Sequence, residues 1–452
     1  MNMVRSVKNF LARIDPAWRT ALGVFLLARL FYFLWSLVIL TVYPLAVQNT
    51  ALNGQPVLAA FDLSANKGYV FSRQVDDQVL TFRVAGKNVV DTQTGSLWDI
   101  RTGKAISGKY AGQSFLPADE TAAGIFPYQG VDTNFAPVLT IWQRFDTNWY
   151  LKIAQSGYSE SDGSTAFFPL YPLLVKLFGF ILGNNLLAGL LISNLALLGA
   201  LVLLYKLALE YFEVGVVRRT LVYLMLFPTS FFFFSAYTEA PFLFLVLASL
   251  FAANRRRWVW AALFGSLAAL TRLQGVLMFI PLIYMWWRQL DNRRWLNGIA
   301  LTLVPISTLG FLFYTRLSLI GMYQNTLNAV FVWPWMNIWA DALMLIHGKG
   351  TVIEIFNLFV TSLFGILIVV AWRKIPREWF FYSIAMYLAP LFRMTTIQPL
   401  VSMSRYVLVL FPLFCLLGQW GERPWVNRII VYAGFLAALY FSAQFFTWGW
   451  VA

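Results

Sequence analysis

Residues 141–171 read IWQRFDTNWYLKIAQSGYSESDGSTAFFPLY, and they mark the point at which a polar segment gives way to apolar runs. Apolar residues recur there at helical spacing with polar residues between them, at Phe145, Trp149, Ile153 and Ala154. This pattern is typical of a helix that lies in the bilayer interface. The acid Asp146 stands among aromatic side chains in this stretch. We therefore predict an interfacial helix that presents a carboxylate at the rim of the membrane.

The composition is that of a polytopic membrane protein. The 452 residues are 59% hydrophobic, 18% aromatic and only 12% charged, whereas soluble proteins are about 45–50% apolar and about 25% charged. The formal net charge of +14 comes largely from basic residues in short loops between apolar runs, which argues against nucleic-acid binding. The single cysteine, Cys415, excludes an internal disulfide and a cysteine metal site.

Four regions follow from the hydropathy pattern. Residues 1–49 hold a basic amino terminus, predicted to be cytoplasmic, and a first membrane span at about 21–45 that is too long for a cleaved signal peptide. Residues 50–136 are polar, with short alternating runs such as 79–84, and we predict a small β-rich extracytoplasmic insertion. The regions 137–185 and 186–452 are predicted to be interfacial helices and a transmembrane bundle. Turns are expected at Thr94-Gly95 and Thr102-Gly103.

The basic loops decide the predicted topology. If 166–183 were a full span, the loop with Lys206, Arg218 and Arg219 would fall outside, so we interpret 166–183 as interfacial or re-entrant. The remaining spans are then expected at 186–208, 219–235, 239–254, 258–272, 274–288, 296–317, 354–373, 378–392, 403–420 and 428–447. The sequence thus predicts an all-α polytopic membrane protein with about eleven transmembrane helices and an outer carboxyl terminus.

Charges at the predicted outer rim are the candidates for chemistry, because a charge within or beside a membrane span is costly and commonly functional. The acids are Asp146, Glu160, Asp162, Glu239, Asp341 and Glu354, and the basic residues are Lys152, Arg272, Arg393 and Arg405. Two structural alternatives remain open. Glu239 and Arg272 could form a salt bridge inside the bundle, and Asp146 could be solvated or cap the start of its helix.

Asp146 and the arginines suggest different roles. An aromatic setting partly excludes water, which would make the Asp146 carboxylate a stronger base. Arg272, Arg393 and Arg405 would suit a phosphate, because guanidinium binds oxyanions in a planar fork. One base and several phosphate-binding cations at one level favour transfer from a lipid phosphate.

Other residues carry weaker signals. His347 is the only histidine, and we interpret it as a surface residue. The aromatic residues of 331–339 are either interface anchors or a platform for a sugar. No Gly-rich phosphate loop and no carboxylate–histidine metal motif occurs in the sequence.

These residues resemble the glycosylphosphatidylinositol mannosyltransferase II (PIG-V) family. The matching segments occur in order over roughly 137–420. They are FDTNWYLKIA at 145–154 with Gly157-Tyr158, AFFPLYP at 166–172, FPTS at 227–230, SAYTEAP at 235–241, TRLQG at 271–275, and SMSRY at 402–406 leading to Phe411-Pro412.

The resemblance implies a GT-C glycosyltransferase, a polytopic enzyme that takes a sugar from a polyprenyl or dolichyl phosphate on the non-cytoplasmic face. It implies that Asp146 is the catalytic position, acting as general base in an inverting transfer. The donor phosphate and sugar would meet Arg272, Arg405, Glu239, Tyr237, Gln274 and Arg393. It implies no metal and no further cofactor, since the lipid-linked sugar is itself a substrate.

The chain departs from the family at two places. Phe145 stands where the family usually has Trp, and the insertion 50–136 lies outside the resemblance. Gly95-Ser96-Leu97-Trp98 and 102–106 in this insertion loosely resemble part of an uncharacterised prokaryotic secreted β domain.

Three functional hypotheses follow for a chain with these features. The first is transfer of a hexose, mannose by the resemblance, from a polyprenyl-phosphate donor to an envelope glycolipid or glycan. The others are a transporter or flippase of lipid-linked saccharides, and a scaffold that carries the β-rich insertion. The insertion lacks an Asn-x-Ser/Thr site, which favours a prokaryotic plasma membrane over the endoplasmic reticulum of a eukaryote. The sequence does not identify the acceptor or a protein partner of the insertion.

Overall fold

The computed structural model describes residues 15–52, 54–116, 126, 136–159, 162–289, 297–316, 329–395 and 398–451. These described residues are mostly helical, at 63%, with a small region of β-sheet. It divides into two compact units, of which one comprises Leu30–Lys152 with Tyr440–Trp450. The other comprises Met1–Arg29, Ile153–Leu439 and Val451–Ala452.

The first unit contains the β-rich lobe. Its strands are β1 (Leu45–Leu52), β2 (Gln55–Asp62), β3 (Lys67–Ser72), β4 (Gln74–Val75), β5 (Gln78–Val79), β6 (Phe82–Ala85), β7 (Asn88–Asp91), β8 (Leu97–Asp99) and β9 (Lys104–Ser107). They form antiparallel sheets in the orders β1-β2-β3 and β6-β7-β8-β9, with β4 and β5 as a separate ribbon.

The lobe folds around its own apolar core. Leu58, Trp98 and Phe115 are buried in it, and the Trp98 and Phe115 rings stack with centroids 4.4 Å apart. The predicted turns are confirmed at Gly95 and Gly103, where φ is 72° and 69°, a region that glycine adopts without strain. The lobe is predicted to start at residue 50, but strand pairing already begins at Leu45. The predicted alternating run 79–84 is divided in the structure, because β5 ends at Val79 and β6 begins at Phe82.

Fourteen helices of ten or more residues lie in the described part of the chain. They are α1 (Pro16–Val42), α2 (Asp146–Ser156), α3 (Leu170–Leu182), α4 (Asn185–Ala208), α5 (Val214–Leu226), α6 (Glu239–Asn254), α7 (Trp258–Ala269), α8 (Phe279–Arg288), α9 (Leu303–Tyr314), α10 (Pro334–Ile346), α11 (Val352–Ala371), α12 (Arg377–Leu391), α13 (Phe411–Trp420) and α14 (Pro424–Phe446). Two further strands, β10 (Ala329–Phe331) and β11 (Arg393–Thr395), pair with each other.

Four of these helices are long and apolar enough to cross a membrane, namely α1, α4, α11 and α14. A fifth candidate consists of Met403–Val409 and α13, which meet at an angle of 85°. The remaining spans of the predicted topology stay predictions. The helix α3 has 13 residues, so it is about 20 Å long, short of a hydrocarbon core of about 30 Å.

Two of the predicted spans are not continuous α-helices. The predicted span 219–235 is helical to Leu226 and then continues as the 3₁₀ segment Ser230–Phe233, after Pro228. The predicted span 274–288 starts as the 3₁₀ segment Leu273–Met278 before α8. A proline interrupts helical hydrogen bonding, which accounts for the break after Leu226.

Candidate functional site

Asp146 is the first residue of α2, so the sequence placed it correctly on a helix. The preceding Phe145 has φ of +46°, a left-handed conformation that is uncommon for an aromatic residue and that is often held in place at functional sites. The Phe145 ring packs edge-on against Trp448 and Trp450, with centroids 5.4 and 5.1 Å away. Asp146 is half-buried, and Asn148 is fully buried. The rigid aromatic support therefore fixes the point at which α2 starts and Asp146 projects.

Arg144 is a buried residue beside Asp146 that the sequence pattern did not single out. Its guanidinium donates to the carbonyls of Thr140 at 2.9 Å and Phe446 at 3.1 Å, and lies 4.8 Å from the centroid of Trp448. Only 1% of its surface is exposed. The signal that could have revealed it is its position directly before the Phe145-Asp146 pair. Arg144 ties the segment before α2 to the carboxyl-terminal end of α14 within the same unit.

A second group of candidates meets in the helical unit around Glu239, at the start of α6. Arg272 Nη1 donates to Glu239 Oε1 at 2.5 Å, and Arg405 Nε donates to the same oxygen. Glu239 is fully buried, whereas the side chains of both arginines keep 10% of their surface exposed. The salt bridge between Glu239 and Arg272 that the sequence left as an alternative is therefore present. The addition of Arg405 gives the group a net charge of +1.

Aromatic faces enclose the two arginines. The Arg405 guanidinium lies 4.9 Å from the centroid of Tyr237 and 5.4 Å from that of Phe232. The Arg272 guanidinium lies 5.4 Å from the centroid of Tyr406. Aromatic faces attract cations and hold the planar guanidinium in a fixed orientation. Tyr237, predicted at the site, is thus part of it.

Arg393 extends this positive group. It begins β11, and its Nη1 donates to the Tyr406 hydroxyl at 3.3 Å, on the ring that Arg272 faces. Its Nε has no hydrogen-bond partner among the described residues and is buried. We call Glu239, Arg272, Arg393 and Arg405 the arginine cluster. Its formal charge of three cations and one carboxylate is +2, so it is suited to an anion.

The local backbone explains how Arg272 reaches this position. A 3₁₀ segment begins directly after it, and Gly275 in that segment packs so closely on α7 that an added Cβ would lie 2.4 Å from the Ala268 carbonyl oxygen. A larger residue would push the segment away from α7. Gln274, another predicted site residue, is half-buried in the same segment.

The Glu239 carboxylate also keeps one unused acceptor. Its Oε2 atom is buried and accepts no hydrogen bond from the described residues. A buried acceptor without a donor is unfavourable. An incoming hydroxyl group would relieve this, which makes Glu239 a candidate to bind a sugar.

Asp341 is a second buried acid of the helical unit, and its surroundings differ. Neither carboxylate oxygen accepts a hydrogen bond of ordinary geometry from the described residues. Burial and then the negative charge of Glu354 raise the pKa of Asp341 to about 6. Glu354 itself accepts from Gln398 Nε2 at 2.7 Å. It also accepts from the Thr351 amide at 2.7 Å, as part of the capping box at the start of α11.

The remaining residues predicted at the outer rim make local contacts outside the arginine cluster. Asp162 Oδ1 accepts from the Ser164 amide at 2.9 Å, and Lys152 lies over the Trp149 ring at 5.3 Å. His347 is exposed, as predicted. Glu160 lies outside the described residues. Among the described residues no group of three or more His, Cys, Asp and Glu could hold a metal ion.

Comparisons with known proteins add no assignment: no family model, no curated protein and no solved structure matches the chain. The resemblance to the PIG-V family therefore stays a prediction from the sequence segments. What the structure contributes is the geometry of Asp146 on α2 and of the arginine cluster.

Proposed function

We propose that this chain is a GT-C-type membrane glycosyltransferase with about eleven transmembrane helices. It moves a hexose, mannose by its resemblance, from a polyprenyl-phosphate donor to a glycolipid or glycan acceptor on the non-cytoplasmic face. The observation that supports this most strongly is the arginine cluster, which has excess positive charge and aromatic walls and whose Arg272 and Arg405 side chains are each 10% exposed. Such a group favours a phosphate that is bound in a site of low water content.

In the proposed reaction, Asp146 accepts the proton of the acceptor hydroxyl as that oxygen attacks C1 of the sugar. The bond between C1 and the phosphate oxygen breaks, and its electron pair leaves with the polyprenyl phosphate. Attack on the face opposite the leaving group inverts the configuration at C1. A positioned general base contributes about 10²–10⁴-fold to such a step.

In the same proposal, Arg272 and Arg405 offset the charge that develops on the departing phosphate, and Arg393 adds to the positive field. Glu239 Oε2 accepts from a sugar hydroxyl, with Tyr237 and Gln274 beside it. No metal ion and no further cofactor enters the reaction.

The experiment is sugar transfer by the purified protein in lipid. The donor is radiolabelled polyprenyl-phosphate-mannose, and host membrane extract supplies the acceptor. We expect wild type to transfer label, and Asp146→Asn to lose about 10²–10⁴-fold of that rate. Asp162→Asn is the matched control, because Asp162 caps a local turn.

Full turnover by a folded Asp146→Asn protein would contradict the assignment of the base. No transfer by either protein, combined with movement of the labelled lipid across proteoliposomes, would instead support the flippase.

A further inference from the structure

A pocket lies at the ends of three helices, outside the proposed active site. The carboxyl-terminal ends of α11 and α13 and the first turn of α14 line it, and its volume is about 570 Å³. This is within the range of about 300–1,000 Å³ that small-molecule sites occupy. Val370 and Leu416 contribute apolar walls, and Lys374 and Arg423 contribute positive charge.

The pocket has a net positive charge, because Lys374 and Arg423 outnumber its one carboxylate. Its one carboxylate, Glu422, is bound by Arg219, whose Nη2 lies 3.2 Å from Glu422 Oε1. Arg219 is itself fixed by a hydrogen bond of 2.8 Å from its Nε to the Gly418 carbonyl. The Glu422 charge is therefore offset, and the exposed side chains of Lys374 and Arg423 remain for a ligand.

Two exposed tryptophans of the pocket indicate that it lies at the headgroup level of a membrane. Trp420 and Trp425 both line it, and 38% and 61% of their surfaces are exposed. Exposed tryptophans at helix ends are typical of the headgroup level of a bilayer. The loops around Lys374 and Arg423 follow the predicted spans 354–373 and 403–420, and a topology that starts with a cytoplasmic amino terminus puts both loops on the cytoplasmic side. The cytoplasmic leaflet is rich in anionic lipids.

We propose that this pocket binds the headgroup of an anionic phospholipid. The phosphate lies between Lys374 and Arg423, and the acyl chains run along the apolar walls beside Val370 and Leu416. This site is separate from sugar transfer and does not depend on it.

The test is lipid binding by the full chain in detergent, followed by native mass spectrometry. Short-chain phosphatidylglycerol, short-chain phosphatidylcholine and inorganic phosphate are titrated separately and in competition. We expect wild type to prefer phosphatidylglycerol, with about five-fold in affinity for each basic residue near the membrane surface. The Lys374→Gln/Arg423→Gln variant should lose this preference.

The matched control is Arg256→Gln/Arg257→Gln, which removes two exposed arginines from a different predicted cytoplasmic loop. It should bind phosphatidylglycerol as wild type does. Equal loss of the preference in both variants, or its retention in the pocket variant, would overturn the proposal. Displacement of the lipid by inorganic phosphate at an equal concentration would also overturn it in favour of a free-phosphate site. Lys374→Gln alone serves if the double variant fails to fold.

Discussion

Glu239 and Asp341 are both buried acids of the helical unit, yet their surroundings are opposite. Two arginines donate to one oxygen of Glu239. Asp341 accepts no hydrogen bond of ordinary geometry from the described residues, and the charge of Glu354 opposes its ionisation. The first arrangement keeps charge inside the protein, and the second favours a neutral carboxyl group.

The two sets of contacts predict that Glu239 is held as a charged carboxylate and that the ionisation of Asp341 is disfavoured. Removal of one partner from a buried ion pair leaves an uncompensated charge, which is far more costly than the loss of one hydrogen bond. A carboxyl group whose ionisation is disfavoured by its surroundings loses little when an amide replaces it. We therefore expect substitutions of the buried acids to lower the free energy of unfolding by different amounts.

The largest loss of stability is expected for Glu239→Gln. The amide oxygen can still accept from Arg272 and Arg405, so the change removes charge rather than hydrogen bonds. We expect a loss of about 3–5 kcal/mol in the free energy of unfolding, because the arginines become uncompensated. Denaturant unfolding of the detergent-purified protein measures this.

The control for this substitution is Glu213→Gln. Glu213 is an exposed acid that precedes α5 and makes no side-chain cap there. It should change the free energy of unfolding by no more than about 0.5 kcal/mol. Equal stability of the Glu239→Gln variant and wild type would show that the arginine cluster does not depend on the glutamate charge.

An intermediate effect is expected for Asp91→Asn in the β-rich lobe. The Asp91 carboxylate is buried and accepts from the Thr94 amide at 2.6 Å and from Trp98 Nε1 at 3.1 Å. The NH₂ group of an asparagine at this position would face one of these two donors. We expect this to lower the free energy of unfolding by about 1–3 kcal/mol. Hydrogen exchange of the β7 and β8 amides should become faster, and unchanged protection would contradict this account.

The same residue predicts a pH dependence. Burial raises the pKa of Asp91, but the hydrogen bonds that it accepts from Thr94, Trp98 and Ser96 outweigh burial and lower it. The stabilisation is therefore complete above the unfolded pKa of about 4 and is lost as pH falls through the folded value. The advantage of wild type over Asp91→Asn should shrink below about pH 4.

The smallest loss is expected for Asp341→Asn. Because the pKa of Asp341 is raised to about 6, its protonation stabilises the fold below the unfolded pKa, and this contribution is lost as pH rises to about 6. The variant should match wild type below about pH 4 and exceed its stability at pH 8. Thermal unfolding at both pH values measures the effect, and a variant that is less stable at pH 8 would show that the ionised carboxylate has a partner.

The sequence was sufficient for the local features of the fold. The membrane class, the β-rich lobe and the turns at Gly95 and Gly103 follow from composition and short patterns. The salt bridge between Glu239 and Arg272 could be expected as one alternative. Glu239 begins α6 and Arg272 follows the end of α7, and these two helices are consecutive in the chain.

The remaining features depend on contacts that are distant in sequence. Arg405 reaches Glu239 from 166 positions away, through a segment that bends by 85° before α13. No periodicity in the sequence indicates such a bend inside an apolar run. Arg144 was missed for the same reason, since its hydrogen bond to Phe446 spans 302 positions.

The most direct test of the proposed function is equilibrium binding of labelled polyprenyl-phosphate-mannose to the purified protein. Asp146→Asn should bind the donor as wild type does, because the base acts only in the transfer step. Arg272→Lys and Arg405→Lys should bind it more weakly, because lysine cannot form the planar fork, and Arg256→Lys should bind normally. Donor binding that is unchanged in both arginine variants would contradict the assignment of the arginine cluster as the phosphate site.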